Sequence, residues 1–217
     1  TALLRLIALV AITTSASLQA TNSWASIGQV VDQTGPAVIE RDKDVINSKV
    51  DTGVEMNDNV VTQQGRVGIL FEDSTRVQVT EQSKLLIDEF VYDPKHSDAS
   101  KLTIKVLEGT ARYASGQIAK NNPQSVKIET PTATIAVRGT DFSMTVDEIG
   151  RSLIILLPSC PTNWKNIERD CKTGKIDVMT EMGTVHLDKP FQSTVTSSKE
   201  TNPSRPSILK LTEAQIN

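Results

Sequence analysis

Few side chains in this sequence are suited to bond-making chemistry. There are two histidines, His96 and His186, and two cysteines, Cys160 and Cys171. His96 lies in the polar run 93–100 beside Pro94 and Lys95, which reads as a solvated loop. His186 alternates with Val185 and Leu187 on an expected strand. Neither has a partner at metal-ligand spacing, so no metal or cofactor is expected. Glu72 and Asp73 are adjacent carboxylates. Neighbouring strand-end residues point to opposite faces, so the two cannot flank one glycosidic bond, and Asp73 with Ser74 reads as turn chemistry. No Gly-x-Ser-x-Gly, phosphate-binding or dinucleotide-binding glycine pattern is present. Arg138 is the charged residue with most at stake. At a core-facing strand end it needs a partner, because an unpaired buried charge costs several kcal/mol. Asp58 is the expected partner, with Asp73 and Asp141 as alternatives. Trp164, near Asn163 and Asn166, could stack on a sugar or anchor a protein partner. Catalysis is not expected.

The elements that must position these residues are strands. Residues 130–144 (TPTATIAVRGTDFSM) alternate Ile135 with Val137, turn at Gly139, and alternate Phe142 with Met144. Period-two alternation marks a half-buried strand, and Gly139 permits a positive φ. The same rhythm recurs in Val67, Ile69 and Phe71, then Val77 and Val79 across the turn 72–75. Lys84 to Tyr92 continues it, with Leu85, Ile87 and Glu89 on one face. Leu102, Ile104 and Val106 form the next strand, closed at Glu108–Gly109, and Ala111 and Tyr113 begin another. Residues 116–124 are polar enough for one helical turn. Arg151 to Leu157 is nearly continuous in apolar residues, as for a strand buried on both faces. Lys175–Met179 and Thr184–Leu187 form an expected hairpin. Strands of five to seven residues at spacings near ten predict an all-β chain: a β-helix-like roll or sandwich of stacked short strands.

Composition sets further bounds. The hydrophobic fraction is 38% and the aromatic fraction 4%, so the core must be aliphatic. The net charge is −3 with both signs interspersed. No basic stripe suits nucleic acid or an acidic membrane surface. Residues 1–25 have one arginine, Arg5, a short apolar run and then small residues, the layout of a secretory signal peptide. Cleavage after Ala20 or after Ala25 fits, and the second leaves domain-like sequence starting at Ile27. A periplasmic or secreted chain with two cysteines predicts a Cys160–Cys171 disulfide, contributing about 2–3 kcal/mol in the chain-entropy model.

Three segments together resemble the FecR domain family. They are residues 57–62 (NDNVVT) with Asp58 and Thr62, residues 67–79 (VGILFEDSTRVQV) with Asp73 and Ser74, and the terminal Val137, Arg138, Gly139, Thr140 and Phe142. The resemblance covers roughly residues 27–146. The family's turn glycine is missing after Asp73, where Ser74 stands. The resemblance implies a periplasmic β-rich roll. Family members that regulate sigma factors carry a cytoplasmic part and a membrane helix before this domain. This chain shows neither, so direct sigma-factor regulation is not expected. The expected organisation is a signal peptide (1–25), a FecR-like β-domain (26–149), a β extension with the disulfide loop (150–191), and a linker with a flexible C-terminal tail (192–217). The expected role is non-enzymatic: a scaffold or sensor docking on an envelope protein assembly. The alternative is binding peptidoglycan or another glycan through the Trp164 loop. No membrane span is expected after signal cleavage.

Overall fold

The computed structural model describes residues 26–210. The expected signal peptide, and residues 211–217 of the expected tail, lie outside the described residues.

Strands follow one another along the chain as β1 (Gly28–Thr34), β2 (Ala37–Arg41), β3 (Asp44–Asn47), β4 (Gly53–Val54), β5 (Asn59–Thr62), β6 (Arg66–Phe71), β7 (Arg76–Val79), β8 (Lys84–Val91) and β9 (Lys101–Ala114). After the short helix α1 (Gln117–Asn121) come β10 (Val126–Glu129), β11 (Thr134–Arg138), β12 (Asp141–Val146) and β13 (Ser152–Leu157). A second helical turn, α2 (Ile167–Asp170), precedes β14 (Lys175–Thr180), β15 (Gly183–Leu187), β16 (Gln192–Thr196) and β17 (Ser207–Ile208).

The chain shuttles between two layers. One layer runs β4-β1-β6-β7-β9-β12-β13-β16-β17, and every pair in it is antiparallel. The other runs β3-β2-β5-β8-β9-β10-β11-β14-β15, with one parallel pair, β9 with β10. A parallel pair needs a crossover of about a dozen residues, and α1 lies in the connection that supplies it. The all-β expectation holds. Val67, Ile69, Phe71, Val77 and Val79 from the first layer meet Leu85, Ile87, Leu102, Ile104 and Val106 from the second in one core. Each such side chain contributes about 1.5–3 kcal/mol on burial. Phe71 stacks on Phe90 across the layers, with centroids 5.4 Å apart.

Strand β9 joins the layers. Sequence splits it at Glu108–Gly109, but the chain runs unbroken from Lys101 to Ala114. Its first part pairs in the second layer and its last part in the first. Gly109 makes the bend at φ +80, where a Cβ would fall 2.5 Å from the Gln82 carbonyl oxygen. Glycine is required there on both grounds.

Other expectations need correction. A bulge between Ile87 and Glu89 shifts the β8 register, so Phe90 rather than Glu89 turns inward. Strand β13 is not buried on both faces: Leu153 and Ile155 remain half-covered. Residues 192–196, expected as linker, form β16 and pair with β13. Their polarity misleads because the inward side is hydroxyl-lined. Thr196 Oγ1 lies 2.7 Å from Thr132 Oγ1, which lies 2.8 Å from Ser152 Oγ, all buried.

Candidate functional site

Strand register gathers most of the candidate residues at one end of the molecule. Gly28 pairs with both Val54 and Phe71, Arg41 with Asp44, Arg138 with Lys175, and Asp141 with both Ala114 and Leu157. The turns 42–43, 55–58, 72–75, 115–118 and 139–140 and the excursion 158–174 therefore share one pole.

Asp73 organises that pole. It is fully buried. Its Oδ1 accepts from the Thr75 backbone N–H at 2.9 Å. Its Oδ2 accepts from Thr75 Oγ1 at 2.8 Å and from the Ile118 N–H at 3.1 Å. The Asp73 carbonyl accepts from Gln117 N–H at 2.7 Å. Thr75 Oγ1 in turn accepts from Gly116 N–H at 3.1 Å. One side chain thus closes its own turn and holds the start of α1. Gly116 is needed because a Cβ there would sit 2.3 Å from the Thr75 nitrogen. Ser74 has φ +68. The missing family glycine is explained: serine occupies the left-handed position at some cost in strain.

The clamp continues through residue 115. Ser115 Oγ donates to the Thr140 carbonyl at 2.9 Å and accepts from Thr140 N–H at 2.9 Å. Thr140 Oγ1 accepts from Gly174 N–H at 3.3 Å. The 73–75 and 138–140 segments, far apart in sequence, are therefore linked through 115–118. Beneath them Phe142 and Tyr113 pack with centroids 5.3 Å apart, and Val137 is fully buried. Tyr113 Oη is buried without a hydrogen-bond partner. Burial pushes its hydroxyl well above the usual tyrosine range. Asp141 is also raised by burial, against the opposing pull of Arg112, 3.7 Å away.

The arginine expectation reverses. Arg138 is 62% exposed and does not reach Asp58, Asp73 or Asp141. Its Nη2 donates to Asp177 at 2.9 Å, and His186 Nδ1 lies 2.6 Å from the other oxygen of that carboxylate. Burial pushes Asp177 up, but the His186 and Arg138 hydrogen bonds outweigh it and leave the group lowered. Asp58, fully buried, is held by Arg41 instead. Arg41 Nε donates to Oδ1 at 2.8 Å and Nη2 to Oδ2 at 2.7 Å, a two-pronged pair. Arg41 also donates to Glu55 and to the Gly53 carbonyl. The Asp58 hydrogen bond raises the Arg41 pKa despite partial desolvation. Sequence reasoning missed Arg41. The available signal was its place at the end of a strand, Val38-Ile39-Glu40, whose register puts Glu40 opposite Asn59.

Thr62 lies at the other pole, where its Oγ1 accepts from Ser83 N–H at 3.0 Å and donates to the Thr80 carbonyl. Gly139 is exposed with φ +62. Cys160 and Cys171 form a disulfide, with Cα atoms 4.3 Å apart. Trp164 within that loop is half-buried. His96 is exposed, Nδ1 2.8 Å from Asp93, and that hydrogen bond lowers Asp93.

Among the described residues, no group of three His, Cys, Asp or Glu side chains is placed to hold a metal ion, and no helix is long and apolar enough to cross a membrane. An open groove of about 640 Å³ at the other pole is lined by Glu81, Glu108, Thr110, Asp147, Glu148 and Arg151, among other residues.

Residues 58–157 match the FecR protein family, from the buried Asp58 to the end of β13. That segment is similar to a FecR domain. Two crystal structures of a protein described as an anti-sigma factor from Parabacteroides distasonis ATCC 8503 are similar over part of their length. One has 14% identity and a TM-score of 0.47, the other 12% and 0.46. In each case 66% of this chain and 56% of the solved chain are covered, so the likeness spans little more than half of those proteins. No curated protein matches the chain. Within that segment Asp58, Asp73 and Thr140 are buried in the turn clamps, whereas Thr62 lies at the other pole and Arg138 and Gly139 are exposed.

Proposed function

We propose that this chain is a non-enzymatic protein-interaction module of the periplasm, a scaffold or sensor subunit that docks on an envelope protein or assembly. The observation that carries this reading is the fate of the FecR signature. Asp58, Asp73 and Thr140 are buried in turn clamps, so the polar groups that could act on a substrate are engaged within the fold. What remains outward is surface for contact. Strands β3 and β15 end the second layer with one neighbour each. Open edges of this kind accept an extended segment of another protein.

The test is affinity capture of the full chain, tagged at its C-terminus, from an envelope extract of its own host. One envelope protein recovered in stoichiometric amount is expected. Recovery of cell-wall fragments alone would overturn the reading and favour glycan binding through Trp164. Recovery of nothing would also overturn it.

A further inference from the structure

The edges of the two layers are not equally covered. In the first layer β4 and β17 are two residues each, too short to pair with much of another strand. In the second layer β15 is hemmed at both ends. The Glu181 N–H just before it donates to the Lys199 carbonyl at 2.9 Å, and a Cβ on Gly183 would fall 2.5 Å from Asn202 Oδ1. Past its far end the Asp188 N–H donates to Gln192 Oε1 at 2.8 Å. Strand β3 has no such cover. Asp44, Val45 and Asn47 are exposed, and only Ile46 is half-buried.

The turn before β3 sets which way its backbone faces. Two residues, Asp42 and Lys43, join Arg41 to its partner Asp44, with Asp42 at φ +52. The residues flanking a two-residue hairpin turn form a hydrogen-bonded pair, and such pairs recur at every second residue. Asp44 and Ile46 therefore bond to β2. Ser48 continues the series, its N–H donating to the Ala37 carbonyl at 3.0 Å. The N–H and C=O groups of Val45 and Asn47 are left facing the open edge.

Side chains add a pattern to that edge. Val45 is 67% exposed and stands opposite Glu40 on the outer face, next to the half-buried pair Val38 and Val61. Ile46 points inward and packs on the rim of the core. Asp44 lies opposite Arg41, but that guanidinium is held by Asp58. Asp42 and Asp44 are exposed and form no ion pair among the described residues, with Lys43 alone beside them. An antiparallel strand laid along β3 would thus set a polar residue by Asn47, apolar residues by Ile46 and Val45, and a cation by Asp44. A second folded copy fits poorly. The four residues of β3 span about 13 Å, and pairing over that length alone falls short of the roughly 1,200 Å² that a stable interface between folded domains buries. An extended segment, bound through its main chain, needs no more than the edge.

We propose that the β3 edge is the docking site, and that its occupant is an extended segment of a partner protein reading polar, apolar, apolar, basic. This rests on the protein-interaction reading above and selects one edge and one kind of partner from it.

The experiment places a photo-crosslinking residue at Asn47 in the full chain in its host, with Thr184 on β15 and Ile149 as control positions. An adduct at Asn47 is expected, and mass spectrometry should map it to a segment with two apolar residues followed by a basic one. That segment, made as a short synthetic peptide, should slow hydrogen exchange at the Val45 and Asn47 amides of the purified chain about tenfold and leave Ile46 unchanged. Val45→Pro removes one edge donor where a strand tolerates proline, and Val45→Lys keeps the donor but blunts the edge with charge. Both variants should keep the circular dichroism spectrum and lose the adduct. Adducts from Thr184 or Ile149 alone would overturn the edge assignment and leave protein interaction standing. An adduct to a second copy of the chain, or one that persists in both variants, would do the same. No adduct at any position would also overturn the edge assignment, and protein interaction falls with it only if affinity capture recovers no partner.

Discussion

Two arginines that look interchangeable in the sequence should differ sharply when removed. Arg41→Ala leaves Asp58, fully buried, without its two-pronged partner and with one remaining donor, the Glu55 N–H at 2.8 Å. Breaking a buried pair from one side costs about 3–5 kcal/mol. At about 2–4 °C per kcal/mol for a domain of this size, the midpoint should drop by roughly 10 °C. Arg138→Ala breaks a pair whose guanidinium is 62% exposed. Solvent screens that interaction, and exposed pairs contribute about 0–1 kcal/mol. The assay is urea unfolding of both variants followed by circular dichroism. The double variant Arg41→Met/Asp58→Asn should recover part of the loss, because no orphaned charge is left. Equal costs for the two arginines, or a loss below about 1 kcal/mol for Arg41→Ala, would refute this reasoning.

Three smaller tests follow from the same pole. Ser74→Gly removes a side chain from φ +68. Relief of about 1–2 kcal/mol of strain outweighs the added chain entropy, so a slightly higher urea midpoint is expected and a lower one would count against it. Tyr113→Phe deletes a buried hydroxyl that has no partner. Stability should hold or rise by about 1 kcal/mol, and a clear loss would reveal a hydrogen bond to that oxygen. Asp170, lowered to about 2 by Arg169 and two backbone donors, should support the α2 turn at neutral pH. A lowered carboxylate stabilises above its unfolded value near 4 and loses that effect as pH falls through the folded value. Hydrogen exchange at Asn166–Cys171 should therefore stay slow at pH 5 and quicken toward pH 2. Equal protection at both pH values, after correction for intrinsic rates, would contradict the assignment.

Much of the fold was legible because its inward positions are apolar and strictly alternate. Val67, Ile69 and Phe71 against Val77 and Val79 gave a hairpin whose register the structure keeps, Val67 opposite Val79. Legibility failed where alternation broke for a local reason. The β8 bulge moved one residue out of phase, which only the cross-strand partner reveals. Gly109 looked like a strand end because a bend and a turn have the same local signal. Strand β16 was hidden because Thr194 and Thr196 are buried through hydroxyl contacts, and hydroxyl-rich sequence reads as linker. At the site, Asp73 was legible as turn chemistry, but its reach to Ile118 was not, since that contact spans 45 residues. Arg138 misled for a related reason. A strand-end arginine faces in or out according to a register that sequence leaves open, and here Val137 takes the inward position.

We propose that the buried residues Asp58, Asp73 and Thr140 build the pole rather than bind a ligand. Asp73→Ala tests it most directly, through equilibrium unfolding in urea. The change leaves the N–H groups of Thr75 and Ile118 buried without acceptors, at about 1–3 kcal/mol each. A loss of at least about 2 kcal/mol is expected, only partly recovered in Asp73→Asn. A loss below about 1 kcal/mol, with a native-like circular dichroism spectrum, would contradict it and return Asp73 to the search for a binding function.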